Sequence, residues 1–208
     1  MIKFENFSKY FNKRLILAIP EFELSTDIYW LKGENGAGKT TLMKSIAGVI
    51  PFNGSIIVDG IDIKKQRIPY RLIVNYAEAE PQYPLFLTGT DLIKLYAETK
   101  KSSIEQINNL VEMFGISGFV DTKIGTYSSG MVKKLSLVLG FMGNAKFILL
   151  DEPLITLDKH SVGVLQNLIE TYFLSGVTFL ISSHQDIIFN DNIVPKQLLL
   201  KENLIIRS

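Results

Sequence analysis

Gly33, Gly38, Lys39 and Thr40 stand at the spacing G-x-x-x-x-G-K-T inside "LKGENGAGKTTLMKS", residues 31–45. That spacing grips phosphate. The glycines let backbone N–H groups turn onto phosphate oxygens, and a helix starting at Lys39 adds its positive end. Lys39 reaches the β- and γ-phosphates, and the Thr40 hydroxyl can ligate Mg²⁺. A second acid-bearing stretch, "FILLDEP", ends an apolar run with Asp151 and Glu152. Asp151 is placed to hold Mg²⁺ through water, and Glu152 to take a proton from an attacking water. Consecutive strand residues point opposite ways, so the second acid must turn into the site at the strand's end.

These groups need strands and helices to carry them. Apolar runs of strand length occur at 27–33, 55–60, 71–77, 147–152 and 177–184. Several lack alternation, which predicts strands covered on both faces. Helical segments lie between them. "SSIEQINNLVEMFG" has Ser102 and Glu105 at capping-box spacing, an apolar stripe of Ile104, Ile107, Val111 and Phe114, and Gly115 at its end. Strands alternating with helices predict an α/β fold whose main sheet is largely parallel. Residues 84–142 read mostly as helix, residues 1–26 as extended pieces, and "KQLLLKENLIIRS" as a hairpin turning at Glu202-Asn203. The expected organisation is one domain over 1–208. Its core lobe covers 1–83 and 143–208, a helical lobe covers about 84–142, and the N-terminal region forms an antiparallel β flank.

Composition excludes some classes. The chain has 208 residues, 47% of them hydrophobic, enough for a sizeable core. Lys plus Arg total 22 and Asp plus Glu 21, a net charge of +1 with no basic block, so no nucleic-acid partner is expected. The absence of cysteine rules out disulfides and thiolate metal sites. The N-terminal "MIKFENFSKYFNKR" has no apolar core of a secretory signal, and "TYFLSGVTFLISSHQ" falls short of the ~18–20 apolar residues of a membrane span. A chain soluble by itself is expected. The mean hydropathy of +0.20 fits an Ile- and Leu-rich core, or a face that docks on a membrane partner.

A third motif narrows the reading. "YSSGM", residues 127–131, puts Ser128, Ser129 and Gly130 directly before a helical run, a second anion site or a simple N-cap. Ser128 lies 23 positions before Asp151, room for one helix and one strand. The ordered series "GENGAGKTT", "YSSGM", "FILLDEP", "TLD" (156–158) and "ISSH" (181–184) resembles the ATP-binding cassette (ABC) ATPases across nearly the whole chain.

The resemblance implies ATP and Mg²⁺ as ligands and a set of roles. Gly33, Asn35, Gly36, Ala37, Gly38, Lys39, Thr40 and Thr41 are implied as the nucleotide loop, with Thr40 and Asp151 toward the metal. Glu152 is implied as catalytic base and His184 as the γ-phosphate sensor. Ser128, Ser129 and Gly130 correspond to the signature loop, which in this family contacts ATP held by the other subunit. Asp158 matches the aspartate at the dimer seam. Phe11 fits the spacing of an adenine-stacking aromatic, with Tyr10 the other option. His160 reads as a solvent-exposed histidine.

The sequence departs from the family at the position of a Mg²⁺-ligating glutamine. There it reads "NYAEAEPQYPLF", with Ala79 in that place and Glu78, Glu80 or Gln82 as substitutes. Ser129 stands where the signature has glycine, and Lys133-Lys134 where Gln-Arg is common. The expected activity is ATP hydrolysis by a head-to-tail dimer, with itself or a paralogue, driving a separate membrane-spanning subunit. Its place would be the cytoplasmic face of the cell membrane and its cargo an exported peptide or drug. Two other readings stay open from the sequence: a soluble ABC ATPase outside transport, and an ATP-binding regulatory module with weak turnover.

Overall fold

The computed structural model describes residues 1–185, 187–189 and 193–207. The chain opens with β1 (Ile2–Phe11) and β2 (Arg14–Leu24), an antiparallel pair. β4 (Asn53–Val58) pairs with the other edge of β1, and the short β5 (Ile61–Asp62) with β4, giving a four-stranded sheet ordered β2-β1-β4-β5. This is the antiparallel flank. It also takes the 55–60 run, which the main sheet does not contain. Burial along β4 alternates toward its end, with Ile56 and Val58 inside, so one face is open.

The main sheet has β3 (Ile28–Lys32), β6 (Val74–Ala77), β7 (Phe147–Asp151), β8 (Thr178–Ser182), β9 (Lys196–Lys201) and β10 (Leu204–Arg207) in the order β10-β9-β3-β8-β7-β6. All its pairings are parallel except the terminal β9–β10 hairpin. That hairpin turns at Glu202 and Asn203, both at positive φ (50° and 66°), the left-handed pair that matches strand twist.

Every residue of β7 is buried. Phe147 and Leu149 join a core beneath the antiparallel sheet, with Phe4, Phe7, Leu42 and Met43. Ile148 and Leu150 join a second core with the helices on the opposite face. The 147–152 run lacks alternation because both of its faces are covered.

The core beneath the antiparallel sheet is roofed by α1 (Lys39–Ile46), and α2 (Arg67–Ile73) leads into β6. The expected strand over 71–77 is therefore helical to Ile73. The Tyr70 hydroxyl donates to the Ile46 carbonyl at 2.7 Å and anchors that helix turn against α1. The second core is roofed by α3 (Gly89–Lys100), α4 (Ile104–Met113), α5 (Ser129–Phe141) and α6 (Lys159–Leu174). Between β6 and β7 the described elements are α3, α4, a 3₁₀ turn at Ile124–Thr126 and α5.

α4 starts one residue later than its sequence suggests. Ser103, not Ser102, is the N-cap, accepting from the Gln106 N–H at 3.1 Å. The buried stripe also differs from the expected one. Leu110 and Phe114 are buried, Ile107 and Val111 pack at the core's edge, and Ile104 is 77% exposed. Gly115 follows in the left-handed region (φ 62°).

Candidate functional site

The loop between β3 and α1 carries Gly33 to Gly38. Gly38 caps α1 at φ 105°, a left-handed conformation, and an added Cβ would lie 3.3 Å from both Ile16 and Leu17. No side chain caps this end of α1, so its first-turn amides remain for a ligand. The Lys39 Nζ donates to the carbonyls of Gly33 (2.7 Å) and Glu34 (3.2 Å), which holds the ammonium over its own loop.

A cavity of about 550 Å³ opens beside this loop. It is lined by Asn35, Gly36, Gly38, Lys39, Thr40 and Thr41 of the loop and α1, by Asp151, Glu152 and His184, and by Phe11, Ile16, Ala79 and Glu80. Gly33 and Ala37 line an adjoining cavity that reaches the end of β9 and the Glu202-Asn203 turn. Phe11 is 49% exposed at the end of β1 with the Lys9 ammonium 4.6 Å from its ring. Tyr10 is not among the residues lining the cavity.

Asp151 is the last residue of β7 and 1% exposed. The Ser182 hydroxyl donates to its Oδ1 at 2.5 Å and the Tyr76 hydroxyl to its Oδ2 at 3.3 Å. Burial, and then the Asp151 charge, raises the Tyr76 phenol far above its ordinary pKa, so it stays a proton donor. Both carboxylate oxygens are aimed, and each keeps a lone pair. The Asp151 carboxylate and the Thr40 hydroxyl both line the cavity, and both are hard oxygen donors of the kind Mg²⁺ takes.

Glu152 adopts φ 43°, a region a non-glycine residue enters at a cost of order 1–3 kcal/mol. That turn breaks the strand's alternation and lets the second acid share the cavity with the first. Its N–H donates to the Ser182 carbonyl at 2.9 Å. Its carboxylate meets His184 twice: Oε2 accepts from the His184 N–H at 3.3 Å and Oε1 lies 3.5 Å from His184 Nε2. The other histidine, His160, is exposed in the first turn of α6.

The third motif lies elsewhere. Ser128 is the N-cap of α5, accepting from the Met131 N–H at 3.2 Å, while the Met131 sulfur accepts from the Ser128 N–H. Ser128 and Ser129 are exposed, and neither they nor Gly130 lines the cavity. Gly130 packs tightly instead, since an added Cβ would lie 2.9 Å from the Thr156 carbonyl. Asp158 caps α6, accepting from the Ser161 N–H at 2.8 Å, and pairs with Lys134 at 2.7 Å. One chain thus brings the phosphate loop, Asp151, Glu152 and His184 together and holds Ser128–Gly130 apart from them.

Sequence reasoning missed Tyr76 and Ser182, and it noted Lys133 only as a departure from the family without giving it a role. The signals were a tyrosine in "VNYAEAE" and a serine in "ISSH". The third was a lysine facing inward on α5, where charge is unexpected. Lys133 is 1% exposed, and its ammonium donates to the carbonyls of Glu78 (2.8 Å), Ala79 (3.2 Å) and Asp151 (3.2 Å). Burial lowers its pKa to about 8, against the opposing pull of Asp151 and Glu152.

Comparison with known proteins decides the family. The family model for "ABC transporter" matches residues 21–155. The chain belongs to the ABC transporter ATPases. A lantibiotic transport ATP-binding protein, SrtF, of Streptococcus pyogenes is 31% identical over 88% of this chain and 80% of its own length. A cytochrome c biogenesis ATP-binding export protein, CcmA, of Legionella pneumophila is 34% identical over 77% of this chain and 80% of its own.

The fold is shared as widely. The ATP-binding subunit of an ABC transporter superposes with a TM-score of 0.86 at 22% identity, covering 99% of this chain and 88% of that one. A dimeric ATP-binding cassette in a post-hydrolysis state with ADP and Pi gives 0.81 at 16% identity, covering 100% and 97%. As an ABC transporter ATPase the chain binds and hydrolyses ATP. No helix among the described residues is long and apolar enough to cross a membrane.

Proposed function

We propose that this ABC ATPase energises a separate membrane-spanning subunit that exports a peptide or drug, working as a head-to-tail dimer on the cytoplasmic face of the cell membrane. The observation that carries the dimer is the separation just described. The cavity holds a phosphate loop and two acids, while Ser128 and Ser129 form an exposed helix N-terminus outside it. A second copy, or a paralogue, can supply that N-terminus across the nucleotide. The peptide cargo rests on the name of the lantibiotic transport relative.

In this reading the loop amides of Asn35 to Gly38 and the first turn of α1 bind the phosphates, and Lys39 exchanges its carbonyl partners for phosphate oxygens. Phe11 stacks the base. Thr40 and Asp151 would hold Mg²⁺, which would offset the triphosphate charge. Glu152 accepts the proton of the attacking water. His184, hydrogen-bonded to Glu152, orients that carboxylate and faces the terminal phosphate. Asp158 stands at the dimer seam.

Cells lacking this chain, and cells carrying only a Glu152→Gln form, should become equally hypersensitive to a subset of a panel of antimicrobial peptides and drugs. Unchanged sensitivity across the panel, with the ATPase active in vitro, would overturn the export reading.

A further inference from the structure

Two lysines follow Ser128–Gly130 on α5, and they face opposite ways. Lys134 reaches Asp158, the cap of α6. Lys133 turns inward and its three hydrogens serve three carbonyls, those of Glu78, Ala79 and Asp151. Both ends of the 151–158 loop, which begins with the two acids, are therefore strapped to one helix. The same ammonium also holds the segment after β6, where Ala79 and Glu80 line the cavity.

We propose that Lys133 is a positioning residue: it fixes the main chain of Asp151 and of residues 78–79 to the signature helix, so that a contact made at Ser128–Gly130 moves the acid pair and the cavity wall together. The proposal rests on the function proposed above. Three observations carry it. The side chain is 1% exposed, so it is no solvated surface charge. Its bonds go to backbone, which ties it to where loops run rather than to one titrating partner. And its Cα lies five residues past Ser128, about one and a half helical turns, so the helix links the two points rigidly. A methionine or leucine here would fill space but take this donor away from the buried Asp151 carbonyl and the half-buried carbonyls of Glu78 and Ala79.

A second lysine gives the control. Lys100, at the end of α3, donates to the carbonyls of Arg71 and Val74 and so also joins the helical segment to the strands, but at a point away from the acids. If Lys133 only glued the two parts together, the two lysines would behave alike.

The test is steady-state ATPase kinetics on the full chain for wild type, Lys133→Gln, Lys133→Met, Lys100→Met and Glu152→Gln, with thermal unfolding measured on each. We expect kcat to fall about threefold in Lys133→Gln, which keeps two donors, and about tenfold or more in Lys133→Met, with KM for ATP within about twofold of wild type. Lys100→Met should keep kcat within about twofold while losing thermal stability. Should Lys133→Met fail to fold, Lys133→Gln decides. A folded Lys133→Gln with wild-type kcat overturns the proposal, as does an equal fall in kcat for Lys133→Met and Lys100→Met. Loss of activity in Glu152→Gln alone leaves the proposed function standing while the Lys133 role fails. Wild-type turnover in Glu152→Gln removes the catalytic reading itself.

Discussion

Lys134 on α5 and Asp158 at the start of α6 lie 2.7 Å apart, ammonium to carboxylate. The pair joins the helix that begins at Ser128 to the helix that follows the two acids. Hydrogen bonding to Lys134 is the largest of the effects that hold the Asp158 carboxyl well below the usual carboxylate range, with the Ser161 N–H next.

A carboxyl whose pKa is depressed on folding adds stability above its unfolded pKa, and that stability disappears as pH falls through the folded value. Asp158→Asn keeps the capping oxygen and removes the charge. At pH 7 it should cost about 0.2–1 kcal/mol, because the pair is half-exposed. The gap to wild type should close as the pH falls well below 4. Asp158→Ala also removes the cap and should cost about 1 kcal/mol more. Urea midpoints at pH 7 and pH 3 check both, and a gap that widens on acidification contradicts the assignment.

Ser128→Arg should block hydrolysis without weakening ATP binding to the single chain. A bulky cation at the α5 N-terminus opposes the helix dipole and fills the anion site. Mixed with Lys39→Ala, it should recover roughly a quarter of wild-type turnover, since random pairing makes half the dimers mixed and each of those has one intact composite site. A mixture no more active than either variant alone contradicts the head-to-tail arrangement.

Ala79→Gln should lower the Mg²⁺ concentration needed for half-maximal hydrolysis or leave it unchanged. Ala79 lines the cavity and offers no side-chain oxygen, so water would fill the place a glutamine would take on a bound Mg²⁺. Of the three substitutes in "AEAEPQ", Glu78 pairs with Lys44 at 3.3 Å, and Gln82 is not among the cavity's lining residues. Glu80 remains. Glu80→Ala should keep hydrolysis within about twofold, because a carboxylate beside the triphosphate adds repulsion. A large loss in that variant would mean that Glu80 binds the metal.

Much of this was legible in the sequence, and the reasons are local. The phosphate loop declares itself because only glycine accepts the φ of 105° at position 38. "FILLD" reads as a doubly covered strand because both faces of β7 are packed. What failed was decided by tertiary contact. The run at 71–77 is apolar enough for a strand, yet the Tyr70 hydroxyl bond to Ile46 belongs to a helix that lasts until Ile73. Ser102 and Ser103 are equivalent as caps until packing of Leu110 and Phe114 chooses the rotation of α4. Lys133 could not be placed at all, because the carbonyls it serves are 18 to 55 residues away along the chain.

The central claim is that Glu152, turned into the cavity by its φ of 43° and hydrogen-bonded by His184, is the base for hydrolysis. Glu152→Gln keeps the shape and removes the base. Purified Glu152→Gln given ATP and Mg²⁺ should show no steady-state phosphate release while binding ATP as wild type does, and light scattering should report a dimer of twice the monomer mass. Wild-type phosphate release by this variant would contradict the account.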